Sequence, residues 1–214
     1  MIRAYEETYL DDAMNNLGDM FDYAVNDCGY EGDEFFTRFI VSGVAGFFER
    51  GNPKYIAGLS GPELASEIIF KTQRIRPDIP PSDDIDKSAE YWAGWILAYY
   101  QWYTARQFFD MQKKGLTMER VTSLYPTLHE ADITKFVAVA DQIISKNDAD
   151  STSNLQRIRK AIGMTQKKLA DESGTALRMI QLYEQRKADI NKAQASTLAK
   201  IANALGCEIK NLLE

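Results

Sequence analysis

Apolar residues recur every three to four positions along most of this chain, and strict two-residue alternation is scarce. That rhythm predicts helices rather than strands, and an all-α fold. Residues 4–27 place Tyr5, Tyr9, Met14, Leu17, Phe21 and Val25 at near-helical spacing. Residues 33–50 carry Phe35, Phe36, Phe39, Ile40, Val44 and Phe47 and run into the breakers Gly51, Asn52 and Pro53. A helix is expected over 60–71, where Ser60 can cap and Pro62 suits a first turn. The longest expected helix, 86–113, is apolar nearly all round, which implies burial in a bundle or against a partner. Thr117–Leu124 adds a short helix, and Ile133, Phe136, Val137, Ala140 and Ile143 mark an amphipathic one. Two polar stretches interrupt this text. Arg76–Lys87, RPDIPPSDDIDK, reads as an exposed loop, and KNDADSTSN from Lys146 as a linker at 146–153. The linker divides the chain into a helical domain, 1–145, and a second domain, 154–214.

The second domain carries the more specific pattern. Leu155, Ile158, Ile162 and Leu169 recur at helical spacing, Gly163 ends one helix, and Thr165 can cap the next. Residues 166–185 read as a helix-turn-helix. Ala170 is small where two helices must cross, and Gly174 permits the positive φ of a sharp turn. Ile180 anchors the second helix and leaves its opposite face outward. Thr175 can cap that helix, expected over 175–184. Leu198, Ile201, Ala202 and Leu205 mark another helix before Gly206, and Ile209, Leu212 and Leu213 a short closing one. Five short helices result.

The text LQRIRKAIGMTQKKLADESG, then TALRMIQLYEQRK, then LAKIANALGCEIKNLLE resembles the Cro/C1-type repressor fold of the XRE family. The resemblance covers about a third of the chain. It implies double-stranded DNA as partner, with a recognition helix in the major groove. It places Gln166 at a phosphate and Leu177, Arg178, Gln181 and Leu182 along the groove-facing side, with Thr175 and Gln185 among the DNA-binding residues. Arg178 matches the paired acceptors of guanine, Gln181 suits adenine, and Leu177 and Leu182 offer only apolar contact to thymine methyls. Lys187 and Lys192 fall in the phosphate-contacting loop. Arg159 and Glu184 match a charged pair that ties the first helix to the end of the third. Ser173 and Thr175 stand where relatives carry apolar residues, Leu177 where many carry a polar reader, and Arg186 where a glycine is common. The text FFERGNPKYIAGLSGPELA with YWAGWILAYYQWYT is similar to a helical region beside C-terminal XRE modules in gut Firmicutes proteins, an antitoxin-like context. No residue role transfers from it.

Charge sharpens this picture. Residues 151–214 hold 11 Lys/Arg against 6 Asp/Glu, a net of +5, while residues 1–150 hold 14 against 25, a net of −11. The overall isoelectric point near 5.0 conceals that segregation. A basic surface gains DNA affinity through counterion release, whereas the acidic part repels phosphate. No secretory leader or membrane-length apolar run is read, so a cytoplasmic protein is expected. Cys28 and Cys207 read as buried free thiols. One histidine and two cysteines do not make a usual structural zinc site, and neither metal nor cofactor is expected.

The remaining chemistry is diffuse. Trp92, Trp95, Tyr99, Trp102 and Tyr103 fit either a ligand or peptide cleft or a core, and helical spacing favours the core. His129 beside Glu130 and Asp132 reads as structural. Tyr5, Glu49, Arg50, Asn52 and Lys54 bear reactive groups without a spacing that names a reaction, and no phosphate loop or nucleophile elbow occurs. The leading expectation is a non-enzymatic, homodimeric regulator binding a palindromic operator. Within it, an autoregulating antitoxin is favoured, its acidic domain holding a toxin or other protein. A small-molecule-sensing repressor and an enzyme tethered to DNA are the alternatives.

Overall fold

The computed structural model describes residues 3–82, 87–146 and 152–214. It is all-α, with no strand among the described residues. A 3-10 turn, Glu7–Tyr9, leads into α1 (Leu10–Asp22), which relaxes into a π-helical turn, Tyr23–Asp27. Asp11 and Asp12 lie in the first turn of α1, where carboxylates suit the helix dipole.

The expected helix over 33–50 is two helices, α2 (Gly32–Val41) and α3 (Val44–Glu49). Gly43 adopts φ 80°, and the Ser42 hydroxyl accepts from the Val44 N–H at 3.2 Å. The apolar rhythm runs through this break, so periodicity alone conceals it. A π-helical turn, Lys54–Gly58, precedes α4 (Gly61–Gln73). Ser60 and Glu63 cap α4 reciprocally.

The long helix expected over 86–113 also breaks. Ser88 caps α5 (Ala89–Thr104), Ala105 turns at φ 53°, and α6 (Phe108–Lys113) follows. Thr104 Oγ1 donates to the Tyr100 carbonyl at 2.7 Å and accepts from the Arg106 N–H at 3.3 Å. Glu49 Oε1 accepts from the Phe108 N–H at 2.6 Å, which satisfies a backbone donor at the start of α6. The break carries Phe108 into the core, with ring centroids 5.1 Å from Phe39 and 5.9 Å from Phe48. Thr117 caps α7 (Met118–Thr122), and α8 (Tyr125–Leu128) leads to α9 (Ile133–Lys146). Residues 83–86 of the polar loop, three of them aspartates, lie outside the described residues.

The core of this part centres on α1 against α5. Phe21 stands edge-on to Phe35, Phe36 and Phe39 at 5.9, 5.7 and 6.4 Å. Gly94 lets the two helices approach, because a Cβ there would lie 2.4 Å from the Leu17 carbonyl oxygen. The aromatic stripe of α5 is core: Trp92 and Trp102 are buried, and Trp95, Tyr99 and Tyr103 pack partly buried against them. Large exposed apolar side chains lie elsewhere, at Tyr9, Phe47, Phe70, Ile75 and Ile79.

Five helices form the second part: α10 (Asn154–Ala161), α11 (Gln166–Ser173), α12 (Leu177–Glu184), α13 (Ala195–Leu205) and α14 (Ile209–Leu212), with a 3-10 turn at Ile190–Lys192. Leu155, Ile158, Leu169, Ile180, Ile201 and Leu212 are its buried centre. Most of the linker, 147–151, lies outside the described residues.

The two parts share a packed interface. Val41 of α2 is buried within the second cluster. The Arg157 guanidinium lies 4.5 Å over the Phe109 ring, and its Nη1 donates to Gln112 Oε1 at 2.7 Å. Gln112 in turn donates to Thr37 Oγ1 at 3.0 Å. The end of α13 meets the end of α4, where a Cβ on Gly206 would lie 3.3 Å from the Thr72 carbonyl oxygen.

Both cysteines are free and half-buried rather than fully buried. Burial pushes the Cys207 thiol up to about 12. His129 is exposed and stacked on Tyr125 at 4.5 Å. Among the described residues, no cluster of metal-ligating side chains occurs, and no helix is long and apolar enough to cross a membrane.

Candidate nucleic-acid interface

The recognition geometry is set by what lies behind α12. Ile180 is fully buried, Tyr183 and Ala170 nearly so, and α12 seats on α11 through them. Thr165 caps α11 by accepting from the Lys168 N–H at 3.1 Å. Gly174 closes α11 at φ 61°, which provides the expected turn.

Thr175 does not cap the next helix. Two residues follow Gly174 before α12 begins, and its N-cap position is Ala176, without a side-chain bond. Ser173 does the local work instead. Its hydroxyl donates to the Leu169 carbonyl at 2.6 Å and accepts from the Thr175 N–H at 3.3 Å. A buried serine in an apolar position is thereby satisfied within its own turn. Cap propensity pointed to Thr175 because sequence alone does not fix how many residues the turn consumes.

Leu177, Arg178, Gln181, Leu182 and Gln185 share one side of α12, as their helical spacing requires. Leu177, Arg178 and Gln185 are exposed, and Gln181 and Leu182 half-buried. Lys187 and Lys192 are exposed beyond the helix, with Lys192 3.4 Å from Asp189. Thr175 is half-buried at the turn. The side chains that tie this domain to the N-terminal part come from α10, the end of α13 and α14, so the outward side of α12 is left open.

Gln166, expected at a phosphate, is half-buried at the start of α11. Its Nε2 donates to Glu184 Oε2 at 2.8 Å. Glu184 also receives both arms of Arg159, Nε at 2.5 Å and Nη2 at 2.8 Å, while Arg159 Nη1 donates to the Met164 carbonyl at 2.6 Å. The paired side chains are 8% and 1% exposed. This network fixes the start of α11 and the ends of α10 and α12 together. The cluster combines an ion pair with nearly complete hydrogen bonding, the condition under which a buried pair is tolerated.

Two positioning features escaped the sequence reading. Arg186 takes φ 53°, the left-handed backbone that a glycine would enter more easily. Its guanidinium bonds Glu214 at 2.6 Å and so returns the chain end to the α12 terminus. Asn154 donates to the Leu213 carbonyl, and the Asn154 N–H donates to Glu214 at 2.7 Å. Partners so far apart in sequence leave no local signal; only the missing glycine at 186 hinted at a special backbone.

No curated protein and no solved structure matches this chain. A family model described as Helix-turn-helix matches residues 155–212. With the turn, the buried anchor and the open side of α12, that match supports an XRE-type helix-turn-helix at the C-terminus and a DNA-binding regulator.

Proposed function

We propose that the chain is a non-enzymatic, autoregulating antitoxin that binds a partial palindrome as a homodimer in the cytoplasm and holds a partner protein through its acidic N-terminal part. The observation that carries the DNA half is the outward side of α12. Arg178, Gln181 and Gln185 stand together there, with Lys187 and Lys192 beside them, on the net-basic segment of the chain. Arg178 reads guanine through its forked donors, and the two lysines bind phosphates without regard to sequence.

The partner half is supported by charge and by exposed apolar residues. The −11 balance of residues 1–150 disfavours a second phosphate contact. Phe47 is 38% exposed and stacks on Tyr55 at 5.2 Å, a rigid aromatic surface of the kind that anchors protein partners. The test expresses the full chain with the product of the neighbouring reading frame. Growth rescue with co-purification is expected. A neighbour that remains toxic and unbound beside folded chain removes the antitoxin reading.

Selection from random duplexes tests the DNA half separately. The recovered sites should be partial palindromes with half-sites roughly 10 base pairs apart. The small-molecule alternative has its own observation, a cavity where the two parts of the chain meet.

A further inference from the structure

Residues from α3, α6 and α14 line a partly open cavity of about 260 Å³ at the junction between the N-terminal part and the helix-turn-helix. Its walls come from both parts: Gly46, Glu49, Arg50 and the carboxylate Asp110 from one, and Lys210 and Asn211 from the other. The cations converge. A Cβ placed on Gly46 would lie 3.4 Å from Arg50 Nη1 and 3.9 Å from Lys210 Nζ. Glycine at 46 therefore leaves open the space over which two positive groups from different modules meet. Arg50 has no ion-pair partner among the described residues and touches the Phe47 ring, 5.2 Å away. Lys210 pairs with Glu208 at 2.6 Å, an exposed contact of small energetic worth.

We propose that this junction cavity binds a small anion bearing a carboxylate or phosphate group, bridged between Arg50 and Lys210. A forked guanidinium and an adjacent ammonium are the groups that recognise such oxyanions, and two like charges at close quarters gain from an anion between them. The volume admits a metabolite of few heavy atoms rather than a peptide. A ligand held by both modules stabilises the arrangement in which they meet, and it couples to DNA only as far as DNA binding favours that same arrangement.

Glu49 makes the site proton-linked. Its carboxyl lies in the same cavity and accepts from the Phe108 N–H. Burial raises its pKa to about 7; the Phe108 bond, Arg50 and Lys210 oppose that rise, and Asp110 adds to it. Arg50 therefore faces it from the end of α3, Asp110 from α6 and Lys210 from α14, and from α5 the neutral Gln101 amide donates to the Glu49 backbone carbonyl at 3.5 Å. An anion beside Glu49 favours its protonated form, so affinity must fall as pH rises through the Glu49 transition.

The test needs no DNA and is independent of the antitoxin and operator readings. Succinate and inorganic phosphate are titrated into the full chain by calorimetry, at ionic strength held constant with chloride. Saturable one-to-one binding of at least one anion is expected, and which one binds identifies the group recognised. Arg50→Gln should weaken it at least ten-fold, and Lys210→Gln should weaken it as well. Thermal melts of each variant check that the fold is intact. For succinate, affinity should drop several-fold between about pH 6.5 and about pH 8.5, and Glu49→Gln should remove that dependence. No saturable binding of either anion overturns the proposal. Binding of equal strength in wild type, Arg50→Gln and Lys210→Gln also overturns it.

Discussion

Replacing Glu184 by Gln keeps the shape of the side chain and removes its charge. The variant leaves Arg159 8% exposed, with Met164 still accepting one arm but no carboxylate opposite. Breaking a buried pair of this kind costs about 3–5 kcal/mol, whereas an exposed pair is worth about 0–1. The near-complete burial of Glu184 and the additional Gln166 bond place the expected loss in the upper range. Domains carry roughly 0.05–0.15 kcal/mol of stability per residue, so a helix-turn-helix of this size has only a few kcal/mol to lose. All three tryptophans lie in α5, so their fluorescence reports the N-terminal part, while far-ultraviolet dichroism reports every helix. In urea, Glu184→Gln should develop a dichroism transition ahead of the fluorescence transition. Arg159→Met with Glu184→Leu should recover much of the loss, because no charge is then stranded. A loss below about 1 kcal/mol, or double-mutant coupling near zero, refutes this reasoning.

Three further outcomes follow from the packing. Gly94→Ala places a methyl 2.4 Å from the Leu17 carbonyl oxygen, which neither helix backbone can relieve cheaply, and should cost about 1–3 kcal/mol or more in the fluorescence-detected transition. Glu49 has a folded pKa of about 7, above the unfolded carboxyl value, so its contribution to stability is complete below about pH 4.5 and is lost as pH rises to about 7. Glu49→Gln should flatten that decline, worth up to about 3 kcal/mol, as read by urea midpoints across pH. In the wild type the shared interface should keep the dichroism and fluorescence transitions together, and Arg157→Ala, which removes the contact with Phe109 and Gln112, should separate them.

Legibility in the sequence followed locality. The Ser60 cap, the Gly174 turn and the Ile180 anchor are local devices, and each stands where the sequence placed it; Glu63 completes the cap as a reciprocal box that the reading did not include. Helix breaks were missed at Gly43 and Ala105. In both, apolar periodicity continues across the break, and at Ala105 a residue of high helix propensity adopts left-handed backbone because Phe108 must enter the core. Arg159 and Glu184 were paired through a family resemblance, and the structure brings them together; Gln166 joins them through a bond its sequence position did not announce. Contacts between the two parts had no sequence signal at all. Arg157 reads as another basic residue on a basic helix until its position over Phe109 is known.

On the proposed function, α12 contacts bases through Arg178. Fluorescence anisotropy of the full chain on a selected site and on random duplex, across salt, separates base reading from phosphate binding. Arg178→Ala should cost about 1–3 kcal/mol on the selected site, concentrated at one base position, with little change on random duplex. Lys187→Ala should weaken both duplexes alike and reduce the salt slope by about 1. Equal loss on selected and random DNA for Arg178→Ala, or an affinity that does not depend on salt, would contradict the account.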